Sequence, residues 1–342
     1  MTHGSSPLRA VDGKGKRWRG HARRWAAAAA LLTLVACSEP VTPPLTVGMN
    51  PWVGYDPLVL ARDRGLTDAR KVRVVELPSA SETLRHMRNG LLDAATLTLD
   101  ETLRLAETGS DVRIVAVIDA STGGDVVMAA PRIAKPAQLK GEFIAVEDSA
   151  VGALLLQRML QQTGLSRADV KVTNLEVAQH LSALQSGQVA AAVTYEPLAS
   201  AMETAGYHRI FDSRRIPNEI LDVLVVRADV LQQRPEAVDA LLSAWYAGLN
   251  VFLLDTPGAA QSLALGTDLS PADYEAVLDG LAFFSREASA SELTGSPPAL
   301  VAKGQVVADA LMAIGLIRQS PRWEALIDSG PMQRLQANEK TP

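Results

Sequence analysis

Short apolar segments alternate with amphipathic segments from Leu45 onward, and no other feature limits the possible fold as strongly. The segments LTVGM, VRVVEL, DAATLTL and VRIVAVID are typical of buried strands, and helix-like segments such as SETLRHMRNG separate them. Strands and helices that alternate in this way form a mainly parallel sheet covered on both faces. A second series of the same kind begins after AAPRIAKPAQLKG. We therefore predict two α/β lobes, followed by a mostly helical C-terminal region.

One short pattern occurs in both series. NGLLDAATLTLDE (89–101) and SGQVAAAVTYEP (186–197) each turn at a glycine, continue through small apolar residues and end in an acid. A chance match of small residues is the alternative to a duplicated strand edge. Ligands of open α/β sheets bind outside the carboxyl ends of the strands. If the lobes face each other, both edges line one cleft.

The first 36 residues have the pattern of an export signal. Basic residues precede the apolar run WAAAAALLTLVA, which is too short for a comfortable membrane span. LVAC at Leu34–Cys37 resembles the lipobox of bacterial lipoproteins, so we predict that Cys37 becomes lipidated. Residues 1–36 are then a lipoprotein signal peptide, and residues 37–44 are a proline-rich tether. The mature protein would be held on the periplasmic side of a bacterial membrane through the lipid on Cys37.

The charge of the mature chain excludes several partners. The leader carries seven of the 33 basic residues and one of the 38 acidic residues, so its removal leaves a net charge near −11. A strongly acidic protein is a poor ligand for nucleic acid or for anionic lipid. Phosphate-loop, G-x-S-x-G and H-E-x-x-H motifs are absent from the sequence. We therefore expect no cofactor, no metal and no enzymatic activity.

Several motifs together resemble a known family. MNPWVGYDPLVLARDRGL (49–66), PAQLKGEFIAVEDSAVG (136–152) and LQSGQVAAAVTYEPLAS (184–200) are similar to segments of the periplasmic solute-binding proteins of ABC importers. The resemblance is greatest to the branch that binds nitrate, taurine, alkanesulfonates and thiamine precursors. It extends from Leu45 to about Leu254.

The resemblance implies a type II periplasmic-binding fold with a hinge and a helical C-terminal extension. Lobe 1 would comprise residues 45–125 and 224–342, and lobe 2 residues 126–223, with crossings near 126–130 and 222–226. Such a protein is a monomer that traps a small solute and passes it to an ABC permease in the inner membrane. A sensor module for a signalling receptor is the second interpretation. A pyrimidine-synthase-like enzyme is the third, although an intracellular enzyme would not need the leader.

Nine residues at the predicted strand ends and crossings are candidate ligand contacts. Aromatic side chains could stack on a flat or cationic solute, while the polar residues could instead cap helices or form turns. We expect the neighbouring Glu101 to point to solvent. The candidates are Trp52, Tyr55, Thr98, Asp100, Asp125, Ser149, Tyr195, Glu196 and Asp222.

The balance of charge among these candidates is acidic, and no lysine or arginine falls at the same edges. An anionic ligand in a closed cleft would face like charges at short range, which costs several kcal/mol. The sequence therefore favours a cationic or donor-rich solute, such as an amine, an amidine or an aminopyrimidine. This prediction departs from the sulfonate and nitrate binders that the family includes.

Overall fold

The computed structural model describes residues 1–4 and 42–339. The chain divides into two compact units, Met1–Pro43 and Pro44–Pro342, and the second unit contains every helix and strand named below. The predicted lipidation site, Cys37, and most of the predicted leader and tether lie outside the described residues.

The first sheet has six strands in the order β11-β4-β10-β3-β1-β2. Strands β1, β2 and β3 are parallel, and β10 is inserted antiparallel between β3 and β4. Every residue of β3 is buried, as its run of small and apolar residues predicts for a central strand. The strands are β1 Leu45–Met49, β2 Val72–Glu76, β3 Ala94–Thr98, β4 Val112–Ser121, β10 Leu221–Arg227 and β11 Leu281–Phe283.

The second sheet has five strands in the order β7-β6-β8-β5-β9. Strands β6, β7 and β8 are parallel, and β5 is inserted antiparallel between β8 and β9. This order matches β2-β1-β3-β10-β4 of the first sheet, so β3 and β8 occupy equivalent positions. The similar sequences of β3 and β8 therefore belong to equivalent strands. The strands are β5 Asp125–Ala129, β6 Phe143–Val146, β7 Lys171–Asn174, β8 Ala191–Tyr195 and β9 His208–Asp212.

Helices follow most strands and cover the sheets. The first three belong to the first sheet, the next three to the second, and the remaining eight follow β10 as the C-terminal extension. They are α1 Asp56–Asp63, α2 Ala80–Arg88, α3 Leu99–Glu107, α4 Val151–Thr163, α5 His180–Gln185, α6 Leu198–Thr204, α7 Ala228–Gln233, α8 Pro235–Leu254, α9 Thr256–Leu263, α10 Pro271–Val277, α11 Arg286–Leu293, α12 Ala299–Ala313, α13 Trp323–Leu326 and α14 Gly330–Glu339.

The C-terminal extension packs on the first sheet. Its short strand β11, in a region where the sequence indicates mainly helix, pairs with β4 at the sheet edge. Helix α8 packs on α1, and it alone among the described helices is long and apolar enough to cross a membrane by length and composition. Its apolar face lies in the core, where Trp245 and Phe252 are almost completely buried. Two α/β lobes with a helical extension therefore agree with the predicted fold class.

The chain crosses between the sheets twice, a few residues earlier than the sequence indicates. The crossings are residues 122–124, between β4 and β5, and residues 213–220, between β9 and β10. Ser213 joins them, because its hydroxyl lies 2.8 Å from that of Ser121 and accepts a 2.7 Å hydrogen bond from the backbone of Gly123. The sheet that contains β1 is called lobe 1 below, and the sheet that contains β8 is called lobe 2.

Candidate functional site

A small cavity lies between the two lobes, at the predicted strand edges. Its empty volume is about 280 Å³. Both lobes contribute to its wall, and six of the nine predicted contacts are among the residues that line it. The lining residues are Asn50, Trp52, Tyr55, Ala80, Thr98, Glu101, Asp125, Val151, Tyr195 and Asp222.

Strand register brings the carboxylates together. In lobe 1, Asp222 on β10 lies opposite Thr98 on β3 and Asp119 on β4. In lobe 2, Asp125 at the start of β5 lies opposite Tyr195 at the end of β8. Side chains at directly opposed positions of antiparallel strands are close neighbours. The antiparallel strand of each sheet therefore adds an acid to the carboxyl edge of the parallel strands.

Two aromatic residues after β1 form one wall. The Trp52 indole donates a 3.3 Å hydrogen bond to Asp119 Oδ1, and the Tyr55 hydroxyl donates to Asp222 Oδ1. The Trp52 ring also meets the Tyr195 ring of lobe 2 edge-on, with centroids 6.0 Å apart. Gly124 makes room for this ring, because a Cβ there would lie 2.5 Å from Trp52 Cη2.

The carboxyl groups around the cavity are almost completely buried. Burial raises the pKa of Asp119 and Asp125 to about 7 and that of Glu101 to about 8. Burial also raises the pKa of Asp222 well above its usual range, and nearby Asp119 raises it further. Each group is costly to ionise here because a desolvated charge without a partner is unstable.

Several of these oxygens have no hydrogen-bond partner among residues 42–339. They include Glu101 Oε1 and Asp119 Oδ2. Both carboxyl oxygens of Asp100, which lies beside Glu101 but does not line the cavity, also lack a partner there, and burial raises the pKa of Asp100 to about 7. Among the described residues that line the cavity there is no lysine, arginine or histidine. The site thus contains buried acceptors and no cation to neutralise them.

Direct contacts hold the lobes together around the cavity. Glu147 of lobe 2 accepts hydrogen bonds from Ser81 at the start of α2 in lobe 1. Arg104 on α3 contacts Asp148 across the cleft, with Nη2 2.9 Å from Oδ1. The lobes are therefore closed on each other.

The matching family model covers residues 38–264 and describes the NMT1-like family. The chain belongs to this family. A protein of Escherichia coli (strain K12) assigned as an aliphatic sulfonates-binding protein is 28% identical over 159 residues, which cover 45% of this chain and 50% of that protein. The match therefore spans about half the length of this curated relative.

Solved structures share the fold of this NMT1-like chain. The alkanesulfonate-binding protein of Xanthomonas axonopodis pv. citri bound to MOPS has a TM-score of 0.71 at 21% identity, covering 85% of this chain and all of that one. The periplasmic nitrate-binding protein of Synechocystis PCC 6803 has a TM-score of 0.72 at 13% identity, covering 89% and 91%. The fold class is confirmed, and the relatives agree with the resemblance to periplasmic solute-binding proteins of ABC importers.

The remaining candidates of this NMT1-like chain do not line the cavity. Asp100 is buried in the first turn of α3, beside Glu101. The Ser149 hydroxyl is buried without a hydrogen-bond partner among residues 42–339, and it does not cap α4, whose N-cap is Ala150. Glu196 instead pairs with Arg209 on β9 and bonds to Ser200.

Glu101 corrects an expectation from the sequence. The residue is 1% exposed and lines the cavity instead of pointing to solvent. Its carboxylate accepts a 3.1 Å hydrogen bond from the Thr98 backbone, while the Thr98 hydroxyl accepts from the Glu101 backbone at 3.3 Å. This capping box turns the Glu101 side chain back toward the end of β3. The Thr98-x-x-Glu101 spacing is the sequence signal for it.

Four other residues were not among the sequence candidates. Asn50 follows β1 directly, and Asp119 lies near the end of β4 after the apolar run 114–118, so both carry a signal of polarity close to a strand end. Ala80 and Val151 begin helices α2 and α4 and have no chemical signal of their own. Among the described residues, no three His, Cys, Asp or Glu side chains form a group that could hold a metal ion.

Proposed function

We propose that this protein is a lipid-anchored extracytoplasmic solute-binding protein that delivers a small cationic organic solute to an ABC import permease. The family and the fold support the binding role. The cavity between the lobes is small, which suits a compact solute.

One observation carries the choice of a cation. Glu101 lines the cavity, and Asp119 lies behind its wall, bonded to Trp52 and opposite Asp222. Both are almost completely buried, and each has an oxygen without a hydrogen-bond partner among residues 42–339. Buried carboxylates are normally paired, and an unpaired one either binds a proton or lowers the stability of the protein. An ammonium or amidinium group would supply both the charge and the donors that these oxygens lack.

The aromatic wall supports the same choice. The faces of Trp52 and Tyr195 attract a cation through their ring quadrupoles. The Trp52 indole is already engaged, since it donates to Asp119. The Tyr195 hydroxyl accepts from Asn50 Nδ2 at 3.4 Å, so its own O–H group is still available as a donor. The choice of a cation over a sulfonate or a nitrate, which the relatives named above are reported to bind, therefore rests on the buried carboxylates and not on a lack of donors.

The anchoring and the delivery step come from the sequence and the family. Cys37 follows the lipobox-like LVA segment, and lipid on this residue would keep the protein beside a membrane permease. Replacing Cys37→Ser tests the anchor: the variant should appear in the soluble periplasmic fraction, whereas the natural protein sediments with membranes. A variant that stays with the membranes would contradict anchoring through Cys37.

Native mass spectrometry of the purified protein, followed by a thermal-shift panel, tests the solute class. The panel contains small amines, amidines, aminopyrimidines and sulfonates. A ligand at one hundred times its Kd stabilises the folded state by about 2.7 kcal/mol, which gives a measurable rise in Tm. We expect cations to raise Tm and sulfonates to have no effect. Stabilisation by sulfonates alone would overturn the proposed solute class.

Two isosteric variants, one at the site and one on the surface, test whether the buried acids bind the cation. Asp119→Asn keeps the shape of the side chain but removes the charge, so amines should lose most of their effect on Tm. Asp111→Asn makes the same change at a surface carboxylate, where it breaks the ion pair with Arg113, and should leave the response to amines unchanged. Equal responses of the two variants would show that the buried acids do not bind the cation.

A further inference from the structure

A second cavity also has Tyr195 in its wall. Its empty volume is about 710 Å³, and both lobes and the segment after α9 contribute to it. We call it the outer cavity, and the cavity of about 280 Å³ the inner cavity. The apolar residues of the outer cavity include Pro51, Pro78, Val177, Pro197, Leu198 and Leu269.

Tyr195 is the residue that lines both cavities. Its hydroxyl is bonded to the Asn50 side chain of the inner cavity, and its ring meets Trp52 edge-on. Tyr195 is therefore the point at which the two cavities adjoin. A solute that occupies both cavities requires the Tyr195 ring to change rotamer.

The two cavities differ in chemistry. The inner cavity contains Glu101, Asp125 and Asp222, whereas the lining of the outer cavity contains one acid, the exposed Asp268, and no lysine or arginine among the described residues. Apolar surface that is open to water favours an apolar occupant. An acidic chamber joined to an apolar one matches a molecule with a cationic head and a hydrocarbon part.

We propose that the outer cavity is a subsite for the hydrocarbon part of the solute, so that the protein binds an alkyl- or aryl-substituted ammonium or amidinium compound. The head lies among the inner carboxylates, and the substituent passes Tyr195 and packs against Val177 and Leu198. This inference rests on the proposed cationic solute. It adds that affinity depends on the length of the apolar substituent.

Calorimetric titration with the n-alkylamines from methylamine to hexylamine tests the subsite. Burial of each added methylene should tighten binding about fourfold until the outer cavity is filled. The matching n-alkanols, which lack the charge, should bind far more weakly. Amines that all bind with equal affinity would overturn the subsite but keep the cationic site. Alkanols that bind as tightly as the amines would overturn the cationic site itself.

Paired leucine variants locate the effect. Leu198→Gln places an amide in the outer cavity, whereas Leu254→Gln makes the same change at the end of α8, where Leu254 is 79% exposed. We expect Leu198→Gln to weaken hexylamine binding at least tenfold and methylamine binding by less than twofold. Leu254→Gln should change neither. Val177→Thr, which conserves side-chain shape, should act in the same direction as Leu198→Gln. Equal hexylamine affinity of all three variants and the natural protein would contradict the subsite.

Discussion

Glu147 of lobe 2 accepts a 2.8 Å hydrogen bond from the backbone N–H of Ser81, the second residue of helix α2 in lobe 1. The same oxygen accepts from the Ser81 hydroxyl at 2.5 Å. A carboxylate from one lobe thus satisfies a free N–H at the helix N-terminus of the other, where negative charge is favourable. Because the two residues belong to different lobes, this contact can stabilise only the closed form.

Replacing Ser81→Ala should therefore shift the protein toward an open form. The variant loses one hydrogen bond to a charged group, worth about 1.5 kcal/mol or more, and this loss falls only on the closed state. Solute affinity should decrease about tenfold, and small-angle X-ray scattering without solute should give a larger radius of gyration.

A matched variant separates closure from general loss of a hydrogen bond. Ser166 donates to Asp169 at 2.7 Å in the same way, but both residues belong to lobe 2. Ser166→Ala should leave affinity and radius of gyration unchanged. If the two variants behave alike, the contact between Ser81 and Glu147 does not govern closure.

The buried acids make stability depend on pH. An unfolded aspartate has a pKa near 3.9, while burial raises the pKa of Asp119 and Asp125 to about 7 in the folded protein. Between about pH 4 and pH 7 the folded state therefore binds more protons than the unfolded state. Stability is then greatest at the acidic end of this range and falls as the pH rises. Without solute, Tm should be lower at pH 8 than at pH 5.

Asp119→Asn should reduce this dependence, because the amide never ionises. A shift of about three pKa units corresponds to at most about 4 kcal/mol, so the variant should be more stable than the natural protein at pH 8 and similar at pH 5. Asp56, whose pKa burial also raises to about 7, lies outside both cavities. Asp56→Asn should flatten the profile too, but only Asp119→Asn should abolish amine binding. A natural protein whose Tm rises from pH 5 to pH 8 would refute the argument.

The sequence predicts the strands and helices well because their signals are local. Gly90 and Gly187 have φ values of 68° and 73°, which explains why a glycine precedes each of the equivalent strands β3 and β8. Strand pairing is not local in the same way. The segment LDVLVVR indicates a strand, but its place between β3 and β4 depends on residues more than one hundred positions away.

In the candidate site, too, the sequence predicts the residues with local signals but not the contacts that depend on distant residues. Tyr195 and Asp222 stand at strand ends, where the fold places ligands, and they line the inner cavity. Glu196 stands next to Tyr195 but pairs with Arg209, and successive residues of an extended chain point in opposite directions. A shift of one position therefore decides whether an acid faces the solute, and local pattern alone does not reveal that shift.

Tyr55→Phe tests the hydrogen bond that supports Asp222. Removing the hydroxyl leaves a buried acceptor without its donor, which costs about 1–3 kcal/mol of stability. Tyr274 donates to Asp56 in the same manner outside the cavities, so Tyr274→Phe is a matched control. Chemical denaturation should show a loss of stability for both variants. Calorimetric titration should show weaker amine binding for Tyr55→Phe alone, and equal affinities would place Asp222 outside the binding site.

Close packing of α8 on α1 makes Gly248 the most restrictive position in the extension. A Cβ at Gly248 would lie 1.9 Å from the carbonyl oxygen of Pro57, and this backbone atom cannot move without displacing α1. Helix α1 follows directly after Tyr55, so the displacement would reach the inner cavity. We expect Gly248→Ala to lower the free energy of unfolding by at least about 3 kcal/mol, because overpacking a close contact commonly costs 1–3 kcal/mol and here the obstacle is backbone.

Gly266→Ala is the control, measured like Gly248→Ala by urea titration. Its new Cβ meets nothing within 4 Å, so the free energy of unfolding should change by less than about 1 kcal/mol. A fully stable Gly248→Ala protein would show that the two helices are farther apart than this contact requires.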